Sequence, residues 1–273
     1  MRRMPFAPRT LGRTGLRVGP LGLGSSFGVG GADVERAVDH GVSYLYWGSL
    51  RRSGFGDALR HLCRTRRDDI VLVVQSYARA GLALRLSLEI ALRRLDAERA
   101  DVLLLGWWNH APWEGVAEAA ERLRESGKAR FLALSTHHRP HAARIVADTA
   151  SRLDVAHVRY NAAHRGAEGE VFPHRAAAGG PGLVAFTATR WGSLIAPGAG
   201  GDLPTPSAGD CYRFALTSPA VDVCLAGPRN GDDLRGAIAA IERGPMDPQE
   251  LAWMRAVGDR VYRSGRKRLM ERV

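Results

Sequence analysis

Cysteine is scarce in this chain of 273 residues: Cys63, Cys211 and Cys224 are too few and too scattered for a disulfide framework or a thiolate metal centre. Lysine is scarcer still, with Lys128 and Lys267 alone, so 37 of the 39 basic side chains are Arg. No apolar run approaches the roughly 18 residues that a membrane-spanning helix requires. Behind the opening Met-Arg-Arg-Met-Pro there is no hydrophobic signal core, so the expected location is the cytoplasm. A Gly-x-Ser-x-Gly elbow and a Cys/His pair at a recognisable spacing are also missing, which argues against covalent catalysis.

What is there in surplus is positive charge, at a net +11. Residues 1–17 carry five Arg and no acid, and residues 263–273 carry five bases and one acid. The two ends therefore hold nine of the eleven surplus charges, and the rest of the chain is nearly balanced. Basic ends alone are a weak, sequence-independent attraction. The expected partner is a small-molecule substrate, with no nucleic acid and no membrane, and a homo-oligomer is compatible with the sequence.

Eight short aliphatic or β-branched runs recur along the chain: Pro20–Gly24, Val42–Tyr46, Ile70–Val74, Val102–Leu105, Phe131–Leu134, Val155–Tyr160, Leu183–Phe186 and Val221–Leu225. Amphipathic stretches separate them, among them Leu84–Leu95, Val116–Leu123 and Arg139–Leu153. Strands alternating with helices imply parallel pairing. Eight such units predict a single (β/α)8 TIM barrel over 1–273, an α/β fold, with an N-terminal hairpin in 1–19 and a closing helix and basic tail in 249–273. An open doubly wound sheet is the competitor, but its fingerprint would be Gly22-Leu23-Gly24-Ser25-Ser26-Phe27, where the third Gly is missing. The Gly/Pro/Ala-rich stretch Ala196–Ala208 is the one long loop, expected over the C-terminal face after the seventh strand.

Several segments resemble the aldo-keto reductase superfamily. They include Leu11-Gly12-Arg13-Thr14-Gly15-Leu16-Arg17-Val18 before the first strand, and Ser87-Leu88-Glu89 to Leu95 followed by Asp101-Val102-Leu103-Leu104-Leu105. Gly127-Lys128-Ala129-Arg130 with Ser135, Arg159-Tyr160-Asn161 with His164-Arg165, Thr187 to Gly192, and Leu225 to Asn230 continue the likeness in order, from residue 10 to about 255. The resemblance implies transfer of hydride from NADPH to a small carbonyl, with no metal, and a Tyr proton donor tuned by Lys, Asp and His. A proton must reach the alkoxide that hydride transfer creates, which is why such a group is needed.

This sequence departs from that pattern at all four catalytic positions. Tyr46 stands at the position of the Asp, Arg51 at that of the Tyr, Gln75 at that of the Lys and Gly106 at that of the His. In so Arg-rich a chain, replacement of Lys by a neutral residue removes the cation that compositional bias would have kept. The resemblance also implies cofactor contacts. Ser135, Thr136 and Asn161 match residues at the nicotinamide amide, Phe186 an aromatic stacked on its ring, and Thr187 and Arg190 a phosphate loop. Arg229 matches a partner for a 2′-phosphate and Asp233 an acceptor for the adenine amine.

Each singled-out residue also has a bland reading. Tyr46 is either a relocated acid or a plug filling the vacated site, and Arg51 either an anion clamp or a solvated loop residue. Trp47, Trp107 and Trp108 read as walls of an apolar pocket or as barrel packing, and His110 as a substitute acid/base or an idle loop residue. His137 lines the expected pocket; His137, His138 and His141 have ligand-like spacing, but no Glu accompanies them in the manner of a zinc motif. The leading expectation is an atypical NADP(H)-dependent oxidoreductase with a non-standard proton donor. The alternatives are a non-redox enzyme (dehydratase, isomerase or cyclase) on an anionic substrate, and a catalytically dead barrel that binds nucleotide.

Overall fold

The computed structural model describes residues 6–48 and 53–270. A two-stranded hairpin, β1 (Arg9–Thr10) and β2 (Arg17–Val18), precedes eight parallel strands that close on themselves. These are β3 (Leu21–Gly24), β4 (Tyr44–Trp47), β5 (Val71–Ser76), β6 (Ala100–Leu105), β7 (Ala129–Thr136), β8 (Val155–Arg159), β9 (Gly182–Phe186) and β10 (Val223–Ala226), with β10 pairing back onto β3. The helices α1 (Gly31–Asp39), α2 (Ser53–Thr65), α3 (Gly81–Leu95), α4 (Glu114–Glu125), α5 (Arg139–Ala147), α6 (Ala167–Glu170), α7 (Ala208–Thr217), α8 (Gly231–Glu242) and α9 (Pro248–Met270) lie between and after the strands. Each of the eight runs read from the sequence overlaps a barrel strand, and closure of the sheet excludes the open doubly wound alternative.

Strand alternation divides the core in two. Tyr44, Val73, Val102, Leu104, Ala133, Val155, Val184 and Val223 point inward and fill the barrel, while Leu45, Leu72, Leu103, Leu132 and Ala156 pack outward against the helices. The hairpin stoppers the N-terminal end, with Leu11 and Val18 fully buried in the inner core. Gly12 makes that seat possible: its φ is +48° and a Cβ there would lie 2.1 Å from the backbone nitrogen of Gly182.

One device recurs at this lower face on alternate strands. Asp101, Asp154 and Asp222 accept the backbone N–H of Leu72, Leu132 and Leu183 at 2.8, 3.0 and 2.8 Å. Each is also paired with Arg, namely Arg67 and Arg130, Arg13, and Arg175. Four arginines thus stabilise the end of the barrel remote from the C-terminal mouth.

Two expected boundaries move. The helix read over Arg139–Leu153 stops at Ala147, because Asp148 Oδ1 accepts the N–H of Ala150 at 2.9 Å and Arg13 of the hairpin takes the carbonyls of Thr149 at 2.7 Å and Leu153 at 3.0 Å. The closing helix read in 249–273 takes up most of the stretch expected as basic tail, running from Pro248 to Met270. The long loop after the seventh barrel strand is present, between β9 and α7. Among the described residues no helix is long and apolar enough to cross a membrane.

Candidate functional site at the barrel mouth

At the C-terminal ends of the strands the inward series continues with Tyr46, Gln75, Ser135, Arg159 and Phe186. Two of the four substituted positions meet here: the Tyr46 hydroxyl donates to Gln75 Oε1. Burial, followed by the neighbouring Tyr77, pushes the Tyr46 phenol well above its ordinary range, so it stays protonated. Gly106 belongs to the same change, because a Cβ there would lie 2.4 Å from Gln75 Nε2 and 2.8 Å from the Tyr77 ring. The space an imidazole would need at position 106 is taken by Gln75 and Tyr77. Arg51 lies outside the described residues.

Above this neutral floor stands His137. Its ring meets the edge of Phe186 at 5.2 Å and of Trp107 at 6.1 Å, and no hydrogen bond reaches its nitrogens among the described residues. Burial, and then Arg159, lower its pKa from 6.5, which makes it a neutral imidazole near pH 7. Trp107 is 62% exposed and held at φ +58°, its N–H donating to Ser135 Oγ at 2.8 Å. That bond leaves the Ser135 hydroxyl proton available to an acceptor in the mouth.

Other residues are placed elsewhere, Trp47 and Thr136 by strand alternation, Trp108 and His110 by the loop after β6. Trp47 is buried outside the barrel wall, stacked on Phe55, and Trp108 is buried outside it under Arg79, 4.2 Å from the ring. These two tryptophans pack strands against helices and do not wall the mouth. His110 packs on Trp108 and Trp113, its Nδ1 bonded to the Ala111 carbonyl, and is not brought to Tyr46 or Gln75. Thr136, also turned outward, donates to Asn109 Oδ1 at 3.2 Å and accepts from His138 N–H at 3.0 Å. No group of three or more His, Cys, Asp or Glu able to hold a metal forms among the described residues.

On the β8–β9 side, Asn161 is fully buried and spends its amide on the protein. Nδ2 donates to the Thr187 carbonyl at 2.9 Å, and Oδ1 accepts from Ala163 and His164 N–H at 3.0 and 2.9 Å. Thr187, Arg190 and Trp191 have φ of 58°, 51° and 54°, the left-handed region that non-glycine residues avoid. Strain of this kind persists only where the surroundings over-determine it. Beside these residues opens a cleft of about 300 Å³ lined by Arg159, His164, Thr187, Arg190, Trp191 and Ser193. Farther round, exposed Arg229 pairs with Asp233, Nε to Oδ2 at 2.9 Å, so cation and carboxylate hold each other. Arg159 and His164 are the site members that residue-level reading of the sequence did not single out.

No family model matches the chain. An uncharacterized oxidoreductase of Bacillus subtilis (strain 168), YrpG, is 26% identical, with 85% of this chain and 90% of that protein covered. Among solved structures, the aldo-keto reductase AKR11C1 from Bacillus halodurans in its holo form superposes with a TM-score of 0.75 at 21% identity, covering 93% of this chain and 96% of the other. An aldo/keto reductase from Klebsiella pneumoniae, solved with NADP and acetate, has a TM-score of 0.72 at 20% identity, with 90% and 94% covered. The closed eight-stranded barrel, its N-terminal hairpin and these superpositions together show that the chain has the aldo-keto reductase fold.

Proposed function

We propose that this protein is an NADP(H)-dependent oxidoreductase of the aldo-keto reductase superfamily in which an imidazole, His137, does the proton transfer usually given to a phenol. The observation that carries the reading is the His137 ring against Phe186, unbonded among the described residues, in a mouth where the half-buried Tyr46 phenol is committed to Gln75. Support for the cofactor comes from the NADP held by the Klebsiella protein of the same fold and from the cleft beside Phe186, with donors at Thr187, Arg190 and Ser193. At the adenosine end the fit is conditional, since a 2′-phosphate has to draw Arg229 away from Asp233.

Bound NADPH supplies hydride to a carbonyl carbon. Phe186 offers a flat apolar face at the end of β9, Thr187 and Arg190 offer donors to phosphate, and the Ser135 hydroxyl can donate to the substrate oxygen. A ring nitrogen of His137 gives its proton to the developing alkoxide during reduction and takes it back from the alcohol during oxidation. Because its pKa lies below 6.5, reduction accelerates as pH falls toward that value and oxidation is favoured above it.

A second reading, a barrel that binds nucleotide without turnover, is favoured by the mutual satisfaction of Tyr46 and Gln75. Turnover of a panel of small aldehydes and ketones separates the two. Wild-type protein is expected to consume NADPH with at least one of them, and His137→Gln to lose about 10²-fold or more in rate while still binding cofactor. Cofactor binding without turnover of any member would establish the second reading, and an undiminished rate in His137→Gln would remove the imidazole from the mechanism.

A further inference from the structure

The end of β8 carries a cation that the protein leaves unneutralised. Several other partly or fully buried arginines are matched: Arg13, Arg175, Arg213 and Arg255 lie 3.0, 2.6, 2.8 and 2.8 Å from a carboxylate oxygen. The guanidinium of Arg159 has neither a hydrogen bond nor an ion pair among the described residues. The groups facing it are Arg139 from α5, Arg190 after β9, His164 and His137 from the adjoining loops, and Tyr262 from α9. Of these, Arg139 is met by Glu170 at 2.8 Å, and Arg190 donates to the Val261 carbonyl at 3.2 Å.

Among the described residues no carboxylate faces Arg159, and the consequence is visible in its neighbours. Burial and the surrounding cations lower the pKa of Arg159, and burial with Arg159 first among the charges brings His164 down to about 4. A half-buried charge among like charges is unfavourable, and an anion placed among them removes the penalty. The planar guanidinium fork suits a carboxylate or a phosphate, which it can bind through two parallel hydrogen bonds.

We propose that Arg159, with His164 beside it, binds a carboxylate or phosphate group of the substrate, so that the molecule turned over is a small anionic carbonyl or alcohol. Naming the anion as the substrate's rests on the oxidoreductase reading and on position. Arg159 rises from inside the barrel, in register with Phe186 and beside His137, at the reacting end of the mouth. Arg190 stands in the rim loop after β9, and Arg229 lies past β10.

Tryptophan fluorescence reports the site, since Trp191 lines the cleft and Trp107 borders His137. Inorganic phosphate is titrated into the full chain with and without saturating NADPH, in wild type, Arg159→Gln and Arg159→Lys. Phosphate is expected to bind saturably in both conditions, Arg159→Gln to weaken it at least about tenfold, and Arg159→Lys to keep most of the affinity. NADPH affinity is expected to survive in Arg159→Gln. Displacement of phosphate by NADPH, with Arg159→Gln weakening both, would overturn the proposal by assigning Arg159 to the dinucleotide. Phosphate binding that Arg159→Gln leaves unchanged, or no binding at all, would also overturn it. Arg159-dependent phosphate binding in a protein that fails to bind NADPH would support the anion site and defeat only the redox reading.

Discussion

The fully buried Tyr44–His157 pair, one layer below the mouth, shows how strongly the barrel interior resists charge. The Tyr44 hydroxyl meets His157 Nε2 at 2.8 Å, and burial alone takes the imidazole from 6.5 down to about 3. Below pH 6.5 the unfolded chain accepts a proton that the folded chain refuses until about pH 3, so stability falls as pH falls through that window. The slope is on the order of 1.4 kcal/mol per pH unit. Urea unfolding at pH 7 and pH 5 is expected to show wild type losing more stability than His157→Gln, which keeps a polar partner for Tyr44 but has no proton to bind. Equal losses would mean that His157 is not held neutral. At this scale the sequence was only partly legible. Tyr46, Gln75 and Gly106 do stand together, yet Trp47 and Thr136 fall on the outer face, because alternation turns residues 45 and 47 away from the barrel when 44 and 46 face in, and Trp108 packs outside after the left-handed turn at Trp107. Arg159 was hidden by composition: among 37 arginines one more at a strand end carries no signal, and only its spacing from inward Val155 and His157 marks it.

Among the elements, the strands were readable because buried parallel strands are short, continuous apolar runs bounded by turn residues, and all eight overlap the runs predicted for them. The end of α5 was not, because the competing partner, Arg13, lies more than a hundred residues away in the hairpin. The loops after β8 and β9 raise a similar long-range question, since Asn161 ties them together through its side chain. Removing that side chain in Asn161→Ala cuts the tie to the Thr187 carbonyl and orphans the Ala163 N–H, while the His164 N–H keeps the Asn161 carbonyl and the Thr187 carbonyl keeps the Arg190 N–H, at a cost of about 1–3 kcal/mol. The same change frees Thr187 from its left-handed conformation, so NADPH affinity is expected to fall together with unfolding stability. A stable Asn161→Ala protein with unaltered cofactor binding would show that the staple does not shape the cleft.

Taken whole, the molecule distributes its positive charge unequally. Arginines at the lower face are matched by Asp101, Asp154 and Asp222, the sequence ends carry most of the formal surplus, and the mouth keeps Arg159 with no acid facing it. A barrel of the aldo-keto reductase fold with Tyr46, Gln75 and Gly106 together at its mouth keeps there a cation, Arg159, and an imidazole, His137, that has no hydrogen bond among the described residues. The account stands or falls on whether that mouth takes a reduced dinucleotide. Titration of wild-type protein with NADPH, read as quenching of tryptophan emission and energy transfer to the dihydronicotinamide, tests this directly. The account predicts a saturable signal at micromolar cofactor; the absence of any saturable change up to high micromolar NADPH would contradict it.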